Sequence, residues 1–199
     1  MKITNKILEI AKNIKLVIFD VDGVLTDGGI YFADDGREIK KFNVKDGLGL
    51  SWMAQTDITV AIITGRNSPI VAERMKALNI QHVYQGRMNK LETYHNLLEA
   101  LKLNHSQVAY VGDDVIDLPI MQQCILPIAV ADAHESAIAV AKWVTKNKGG
   151  YGAGREVCDL ILNSQNKTID ISKFQQWYST IKWFDVSRQS KQIYLFLIL

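Results

Sequence analysis

The sequence predicts an α/β domain built on a doubly wound parallel sheet. Short runs of apolar, often β-branched residues alternate with longer stretches in which apolar residues recur at helical spacing. The short runs are hydrophobic throughout, as expected of strands that are buried on both faces of a parallel sheet. Several of them end abruptly in Asp, Gly or Thr. Open α/β sheets bind their ligands at the carboxyl ends of such strands.

Length and composition fit one globular domain with an appendage. The 199 residues include 48% hydrophobic and 22% charged ones, which are ordinary values for a soluble protein. The net charge of +2, without a basic stripe, disfavours binding or end-processing of nucleic acid. Cys124 and Cys158 lie far apart without metal-like spacing, and the N-terminus shows no signal-peptide pattern. We therefore expect a cytoplasmic protein.

Each element is placed by its own pattern. Apolar runs mark the strands, apolar stripes mark the helices, and an Asp-Asp-Gly turn between two short runs indicates a hairpin. We expect Asp46 to cap the second helix, and Ser68-Pro69 to open the third. In chain order, the predicted elements are a helix over 4–12, a strand over 16–19, hairpin arms over 30–32 and 38–44, a helix beginning at 46, a strand over 58–63, a helix over 69–78, a strand over 82–84, a helix over 89–101, a strand over 108–111, a helix over 118–122, a strand over 126–130, and helices over 134–141 and 155–162.

The stretch KLVIFDVDGVLT, residues 15–26, carries the main chemical signal. Asp20 and Asp22 follow the buried strand with one residue between them, so a turn can direct both carboxylates at one substrate atom. A carboxylate nucleophile beside a carboxyl group that exchanges protons can carry out covalent phosphoryl transfer. Taken alone, the same Asp-x-Asp-Gly pattern is equally typical of a simple turn after a strand.

Further polar groups follow other strands and are expected at the same rim of the sheet. Thr64 follows the second sheet strand, Asp113 follows the fourth, and Lys90 begins a helix. Because the carboxyl ends of parallel strands share one rim, these groups can converge with Asp20. Asp20 and Asp113 would form an oxygen site suited to Mg²⁺. Thr64 and Lys90 offer phosphate oxygens a hydroxyl group and a positive charge. Together the four signals predict a phosphate site.

The series DVDGVLTDG, ITGR, Lys90 and GDDVIDLP resembles the motifs of the haloacid dehalogenase superfamily of phosphatases, over residues 15–162. The resemblance implies a Rossmann-like sheet with strand order 3-2-1-4-5 and a β-hairpin flap. The hairpin runs directly into a helix, and only residues 85–89 separate the third sheet strand from the next helix. Neither usual position leaves room for a cap domain. The chain is therefore similar to the capless branch, whose small-molecule members close their sites as homotetramers.

The resemblance also implies a role for each site residue. Asp20 would be the nucleophile and Asp22 the acid/base, while Asp20, the Asp22 carbonyl and Asp113 would coordinate Mg²⁺. Thr64 and Lys90 would hold the phosphoryl oxygens. The remaining predicted site residues are Asp114 and Asp117, which would orient metal-bound water and Lys90, and Gly65, Arg66, Lys45 and Asp46, which would contact the substrate.

The implied activity is Mg²⁺-dependent hydrolysis of a sugar phosphate. The segments GGIYFADDGREIKKFNVKDGLGL, GDDVIDLPIM and GGYGAGREVCDLIL resemble a subfamily that acts on an eight-carbon acidic sugar phosphate in lipopolysaccharide precursor synthesis. Two alternatives stay open. One is a phosphatase for another acidic sugar phosphate, such as an acylneuraminate 9-phosphate. The other is a non-catalytic oligomerisation domain of a nucleotide-sugar pathway.

We divide the chain into a phosphatase domain over 1–165 and a C-terminal extension over 166–199. The extension departs from the family pattern, because a helical apolar stripe continues through it and the chain finishes with IYLFLIL. Such a short apolar run cannot span a bilayer, which takes about 20 residues. We expect an added helix packed on the domain or on a neighbour. The alternatives are a partial membrane anchor and a chain that is read past its normal end.

Overall fold

A computed structural model describes residues 3–167. All but the first two residues of the extension predicted over 166–199 lie outside the described residues. Apart from two short 3-10 helices, His105–Gln107 and Val115–Asp117, the described elements follow the predicted alternation of strands and helices. In chain order they are α1 Asn5–Ala11, β1 Leu16–Phe19, β2 Tyr31–Phe32, β3 Glu38–Ile39, α2 Val44–Met53, β4 Thr59–Ile63, α3 Pro69–Ala77, β5 His82–Tyr84, α4 Lys90–Leu101, β6 Val108–Gly112, α5 Leu118–Met121, β7 Leu126–Ala129, α6 Glu135–Val140, β8 Trp143–Val144 and α7 Ala153–Ser164.

Six strands form one parallel sheet in the order β5-β4-β1-β6-β7-β8. The first five of these sheet strands therefore have the predicted order 3-2-1-4-5, which confirms the doubly wound fold. β2 and β3 form a separate antiparallel hairpin. Because β1 lies between β4 and β6, the turns that follow these three strands are neighbours at the carboxyl edge.

The strands send alternate side chains into two helical layers. In β1, Val17 and Phe19 belong to the apolar cluster formed with α1, α2, α3 and α7, whereas Leu16 and Ile18 belong to the cluster formed with α4, α5 and α6. All four side chains are fully buried. A strand enclosed in this way has no solvated face, and its position at the centre of the sheet is fixed by both layers.

The hairpin and the far edge of the sheet differ from the sequence prediction. β8 adds a sixth strand, which was missed because it pairs over only two residues, although Trp143 is fully buried. The hairpin arms are shorter than predicted and pair over two residues each. Beyond them, Phe42 forms an isolated bridge with Thr26 instead of continuing the ribbon.

The described chain holds no inserted cap domain. The hairpin is followed directly by α2, and residues 85–89 alone connect β5 to α4. None of the helices described between residues 3 and 167 has the length and hydrophobicity needed to cross a membrane.

Asp46 has a different role from the predicted helix cap. Asn43 caps α2 instead, because its side chain accepts a hydrogen bond from the Lys45 amide at 2.8 Å. The buried carboxylate of Asp46 accepts hydrogen bonds from the amides of Gly152 at 3.3 Å and Arg155 at 2.7 Å. Burial raises the pKa of Asp46, and these hydrogen bonds oppose that shift. A negative charge at the start of α7 is favourable, so Asp46 fastens α7 to α2.

Replacing Asp46 with Ala should therefore destabilise the fold. The variant leaves the buried amide of Gly152 and the partly buried amide of Arg155 without their acceptor, which costs about 1–3 kcal/mol of unfolding free energy. Asp46→Asn retains one acceptor oxygen and should lose less. Urea unfolding of both variants measures the difference, with Asp34→Ala in the exposed hairpin turn as the control. Equal losses for the Ala and Asn variants would show that the hydrogen bonds do not carry the effect.

Candidate active site

A sharp turn after β1 places two carboxylates at the carboxyl edge of the sheet. Asp20 directly follows β1, and its amide donates to the carbonyl of Val111 in β6 at 3.0 Å. Asp20 is 5% exposed, whereas Asp22 is partly exposed. Gly23 turns the chain with a φ of 89°, and its amide donates to the Thr26 hydroxyl at 3.3 Å. The sheet thus fixes Asp20, and the turn brings Asp22 to the surface of the rim.

Lys90, the first residue of α4, inserts its ammonium group between two buried carboxylates. Its Nζ lies 3.1 Å from Oδ2 of Asp20 and 2.7 Å from Oδ1 of Asp117. Burial acts to lower the pKa of Lys90, but the two carboxylates outweigh it and raise that pKa. The ammonium group is therefore a permanent positive charge beside Asp20.

Asp117 uses both of its oxygens to organise its neighbours. Oδ1 accepts from Lys90 and from the hydroxyl of Tyr110 at 2.6 Å, while Oδ2 accepts from the amides of Asp113 at 2.9 Å and Asp114 at 3.3 Å. Asp117 is fully buried. It fixes the position of Lys90 and the path of the chain at Asp113, and its lone pairs are already engaged by protein donors.

The remaining carboxylate oxygens suit a divalent cation. Asp20, Asp113 and Asp117 have oxygens within 4.8 Å of one another. Burial raises the pKa of Asp20 to about 6, although Lys90 opposes the shift. Burial, together with the charges of Asp20 and Asp117, raises the pKa of Asp113 to about 8. Among the described residues, Oδ1 of Asp20 is buried without a hydrogen-bond partner. Three carboxylates facing one ammonium leave an excess of negative charge, so Asp20 and Asp113 fit a hard cation such as Mg²⁺.

Two glycines allow the backbone to pack directly against this site. A Cβ on Gly23 would lie 2.0 Å from Oδ2 of Asp113, so the turn after β1 touches that carboxylate. A Cβ on Gly149 would in turn lie 1.7 Å from the carbonyl oxygen of Gly23. The amide of Gly150 donates to the carbonyl of Val24 at 3.0 Å. The loop before α7 therefore supports the turn that carries Asp22.

The Thr64-Gly65-Arg66 turn after β4 is held against the loop before α4. The amide of Arg87 donates to the Thr64 carbonyl, and the amide of Gly86 donates to the Arg66 carbonyl, both at 3.0 Å. Thr64 is buried. These bonds set Thr64 and the start of α4, where Lys90 lies, on one rim.

The hairpin brings two charged residues to the rim that were not predicted. Lys40 pairs with Asp22, and Glu38 pairs with Arg66 at 2.5 Å. Alternate residues of a strand share a face, so the spacing of Glu38 and Lys40 was a usable signal. Their partners lie in distant loops, which the sequence pattern did not reveal.

Three predicted residues lie apart from the buried cluster. Lys45 is exposed in the first turn of α2, and Asp46 is engaged by α7. Asp114 is also exposed, and it caps the short 3-10 helix over Val115–Asp117 by accepting a hydrogen bond from the Val115 amide. Within residues 3–167, no hydrogen bond or ion pair joins the Lys45 side chain to Asp20.

The chain is similar in sequence to known proteins. Residues 77–153 match the family model of haloacid dehalogenase-like hydrolases. The chain is 52% identical over 165 residues to the 3-deoxy-D-manno-octulosonate 8-phosphate phosphatase KdsC of Escherichia coli K12, covering 83% of this chain and 87% of that protein. The chain belongs to the 3-deoxy-D-manno-octulosonate 8-phosphate phosphatase family. The predicted superfamily is thereby confirmed, and the protein is a phosphatase of the haloacid dehalogenase type.

Solved structures of this phosphatase family agree with the fold. The crystal structure of the Yersinia pestis phosphatase has a TM-score of 0.81 and 50% identity, covering 83% of this chain and 89% of that one. The Moraxella catarrhalis phosphatase has a TM-score of 0.80 and 42% identity, with 89% and 99% coverage. The Moraxella protein was crystallised with a magnesium ion, a phosphate ion and a KDO molecule.

Replacing Asp113 with Asn should separate metal binding from folding. Without metal, we expect the variant to unfold at the same temperature as wild type or higher, because Asn replaces a carboxyl group whose raised pKa shows that its charge is unfavourable in the folded protein. Added Mg²⁺ should stabilise wild type by about 2.7 kcal/mol at 100 times its Kd, and the variant much less. Thermal unfolding in EDTA and in Mg²⁺ measures both effects. Glu99→Gln on the exposed side of α4 is the control. Full Mg²⁺ stabilisation of Asp113→Asn would contradict the assigned ligand.

Proposed function

We propose that this chain is a Mg²⁺-dependent phosphatase that hydrolyses 3-deoxy-D-manno-octulosonate 8-phosphate to the free sugar acid and phosphate. The observation that carries the proposal is the position of Asp20. It lies buried at the end of the central strand, beside Lys90 and Asp113, and one carboxylate oxygen has no hydrogen-bond partner among the described residues. The chain is 52% identical over 165 residues to a phosphatase named for that substrate, which supports the choice of sugar phosphate.

Asp20 acts as the nucleophile in the proposed reaction. A carboxylate oxygen of Asp20 forms a bond to phosphorus while the bond from phosphorus to the sugar oxygen breaks, which gives an aspartyl-phosphate. With a pKa of about 6, Asp20 is mainly ionised at neutral pH. Lys90 and Thr64 hold the equatorial phosphoryl oxygens and offset the charge that develops on them.

Asp22 moves the protons. Its carboxyl group donates a proton to the departing sugar alkoxide, and its carboxylate then accepts a proton from the water that cleaves the aspartyl-phosphate. The partial exposure of Asp22 suits this exchange with substrate and water. Asp20, Asp113 and the Asp22 carbonyl would hold Mg²⁺, which when bound offsets the negative charge of the carboxylates and the phosphoryl group.

The rim supplies contacts for an acidic sugar. Arg66 and Gly65 lie beside Thr64, and Arg66 remains 42% exposed at its side chain, so its guanidinium group can reach a substrate carboxylate. We also propose substrate contacts for Lys45, which is exposed in the first turn of α2, and for Asp46, which is buried against α7. Asp117 positions Lys90, and Asp114 would act on metal-bound water from the exposed side. We place the enzyme in the cytoplasm, in keeping with two buried, unpaired cysteines.

A phosphate-release screen with purified protein tests the function. With Mg²⁺, we expect 3-deoxy-D-manno-octulosonate 8-phosphate to give the highest kcat/KM in a panel that includes an acylneuraminate 9-phosphate. Asp20→Asn should retain the fold by circular dichroism and lose several orders of magnitude in turnover, because the covalent route is removed. Turnover by Asp20→Asn within tenfold of wild type would contradict the nucleophile. A folded wild type that releases phosphate from no ester would favour the oligomerisation-domain alternative.

We also propose that the enzyme assembles as a homotetramer around the hairpins. The ribbon exposes more apolar surface than a solvated hairpin requires, at Ile30, Tyr31, Phe32 and Ile39. A two-stranded ribbon is marginal alone, and a rim without a cap leaves Asp22 open to solvent. Neighbouring subunits would bury the ribbons and shield each site.

Replacing Phe32, which is 66% exposed, with Glu should split the assembly. Burying the new carboxylate in an apolar interface is unfavourable, so light scattering should report a 22.4 kDa monomer in place of four such chains. Activity should fall together with assembly. Gln122→Glu, at the exposed end of α5, should leave both unchanged. A wild type that is fully active as a monomer would contradict the tetramer.

A further inference from the structure

Four charged side chains form a closed ring between the hairpin and the rim. Lys40 contacts Oδ1 of Asp22 and lies 3.5 Å from Oε1 of Glu38. Arg66 lies 3.9 Å from Oδ2 of Asp22 and 2.5 Å from Oε1 of Glu38. Each cation therefore contacts both carboxylates, and Asp22 has a different cation at each of its oxygens.

Lys40 is the most enclosed member of this ring. Its side chain is 2% exposed, compared with 17% for Glu38, 25% for Asp22 and 42% for Arg66. Water screens a buried ion pair far less than an exposed one, so the two contacts of Lys40 are better maintained than the two contacts of Arg66. An enclosed ammonium group also has few positions available, which restricts the carboxylate that it binds.

Glu38 anchors the ring to the body of the domain. Its Oε2 accepts a hydrogen bond from the Ser68 hydroxyl at 2.8 Å, and the Ser68 amide donates to Oε1 of Gln85 at the same distance. Ser68 is 1% exposed at the start of α3. The hairpin is thus fastened to a fixed helix terminus, and this places Lys40 over the turn that carries Asp22.

The ring is separate from the charge cluster around Asp20. Lys90 pairs with Asp20 and Asp117, whereas Lys40 pairs with Asp22 and Glu38. One lysine therefore serves the nucleophile and another contacts the group that moves protons. The two can be perturbed independently.

We infer that Lys40 is a positioning residue that holds the carboxyl group of Asp22 in the orientation needed for proton transfer to the leaving group. The inference rests on the proposed phosphatase function. A carboxyl group on a partly exposed turn samples several rotamers, and general acid catalysis requires hydrogen-bond reach to the leaving oxygen. Lys40 contacts Oδ1 of Asp22, whereas Arg66 lies 3.9 Å from Oδ2, beyond hydrogen-bond distance, so Oδ2 is the oxygen that carries the transferred proton. Removing the contact from Lys40 should lower the population of the productive Asp22 rotamer.

Leaving groups of different basicity distinguish this role from a general structural one. Single-turnover release of sugar from the sugar phosphate needs an acid, whereas p-nitrophenolate leaves without protonation. We expect Lys40→Met to slow sugar release about 30-fold, because the departing sugar oxygen needs Asp22 as an acid. The variant should slow p-nitrophenolate release from p-nitrophenyl phosphate less than about threefold, because that leaving group needs no acid. KM should change little, and Lys40→Arg should restore sugar release to within about threefold of wild type.

Two further comparisons make the result specific. Lys41→Met is the matched control, because Lys41 is the next residue, is 51% exposed at its side chain and contacts Asp27 and the Tyr151 ring instead. It should retain wild-type rates with both esters. In an Asp22→Asn background, Lys40→Met should cause no additional slowing of sugar release, since it would act through the missing acid.

Several outcomes would overturn the inference. Equal slowing with both esters, no slowing with either, or an undiminished effect in the Asp22→Asn background would each contradict a role through Asp22. If Lys40→Met fails to fold by circular dichroism, Lys40→Gln replaces it under the same criteria. An active wild type with an unaffected Lys40 variant contradicts this inference alone. A wild type inactive on every ester contradicts the phosphatase function as well.

Discussion

Excess negative charge, buried at the end of β1, is the constraint on which the rest of the site depends. β1 is enclosed by helices on both faces, and Asp20 at its end is itself only 5% exposed. Its charge must be balanced locally. Lys90 of α4 supplies one positive charge, and Asp117 positions both that lysine and the backbone at Asp113. The negative charge that Lys90 leaves unbalanced suits a divalent cation. The order of strands in the sheet is what makes these distant segments neighbours.

Much of this arrangement could be predicted because each strand end carries a local pattern. The apolar runs located the strands, and the parallel topology placed Asp20, Thr64 and Asp113 on one rim. Tyr110 was not foreseen, because a tyrosine inside a buried strand resembles any other core aromatic until the position of Asp117 is known. Asp46 was misread, since its partners belong to a helix that begins more than a hundred residues later.

The hairpin shows most clearly where sequence patterns stop being informative. Its turn was recognisable, but the length of its pairing depended on where Phe42 leaves the ribbon to meet Thr26. Likewise, no local pattern connected Glu38 and Lys40 with the site. In the folded protein, Glu38 and Lys40 form ion pairs with Arg66 and Asp22 at the rim, and the Lys40 side chain is almost fully enclosed. Such long-range pairing is set by tertiary contacts, to which a local pattern is insensitive.

The pleat of β3 imposes a limit on how the hairpin can vary in length. Glu38 projects toward the rim and Ile39 to the opposite side, because neighbouring residues of a strand point to opposite faces. Inserting or deleting one residue in the turn before Glu38 would shift the register and exchange these faces. Ile39 would then face Asp22, and the charged groups would face away. Viable homologues should therefore change the length of this turn in steps that preserve the parity of β3, even though the turn itself is exposed and chemically undemanding.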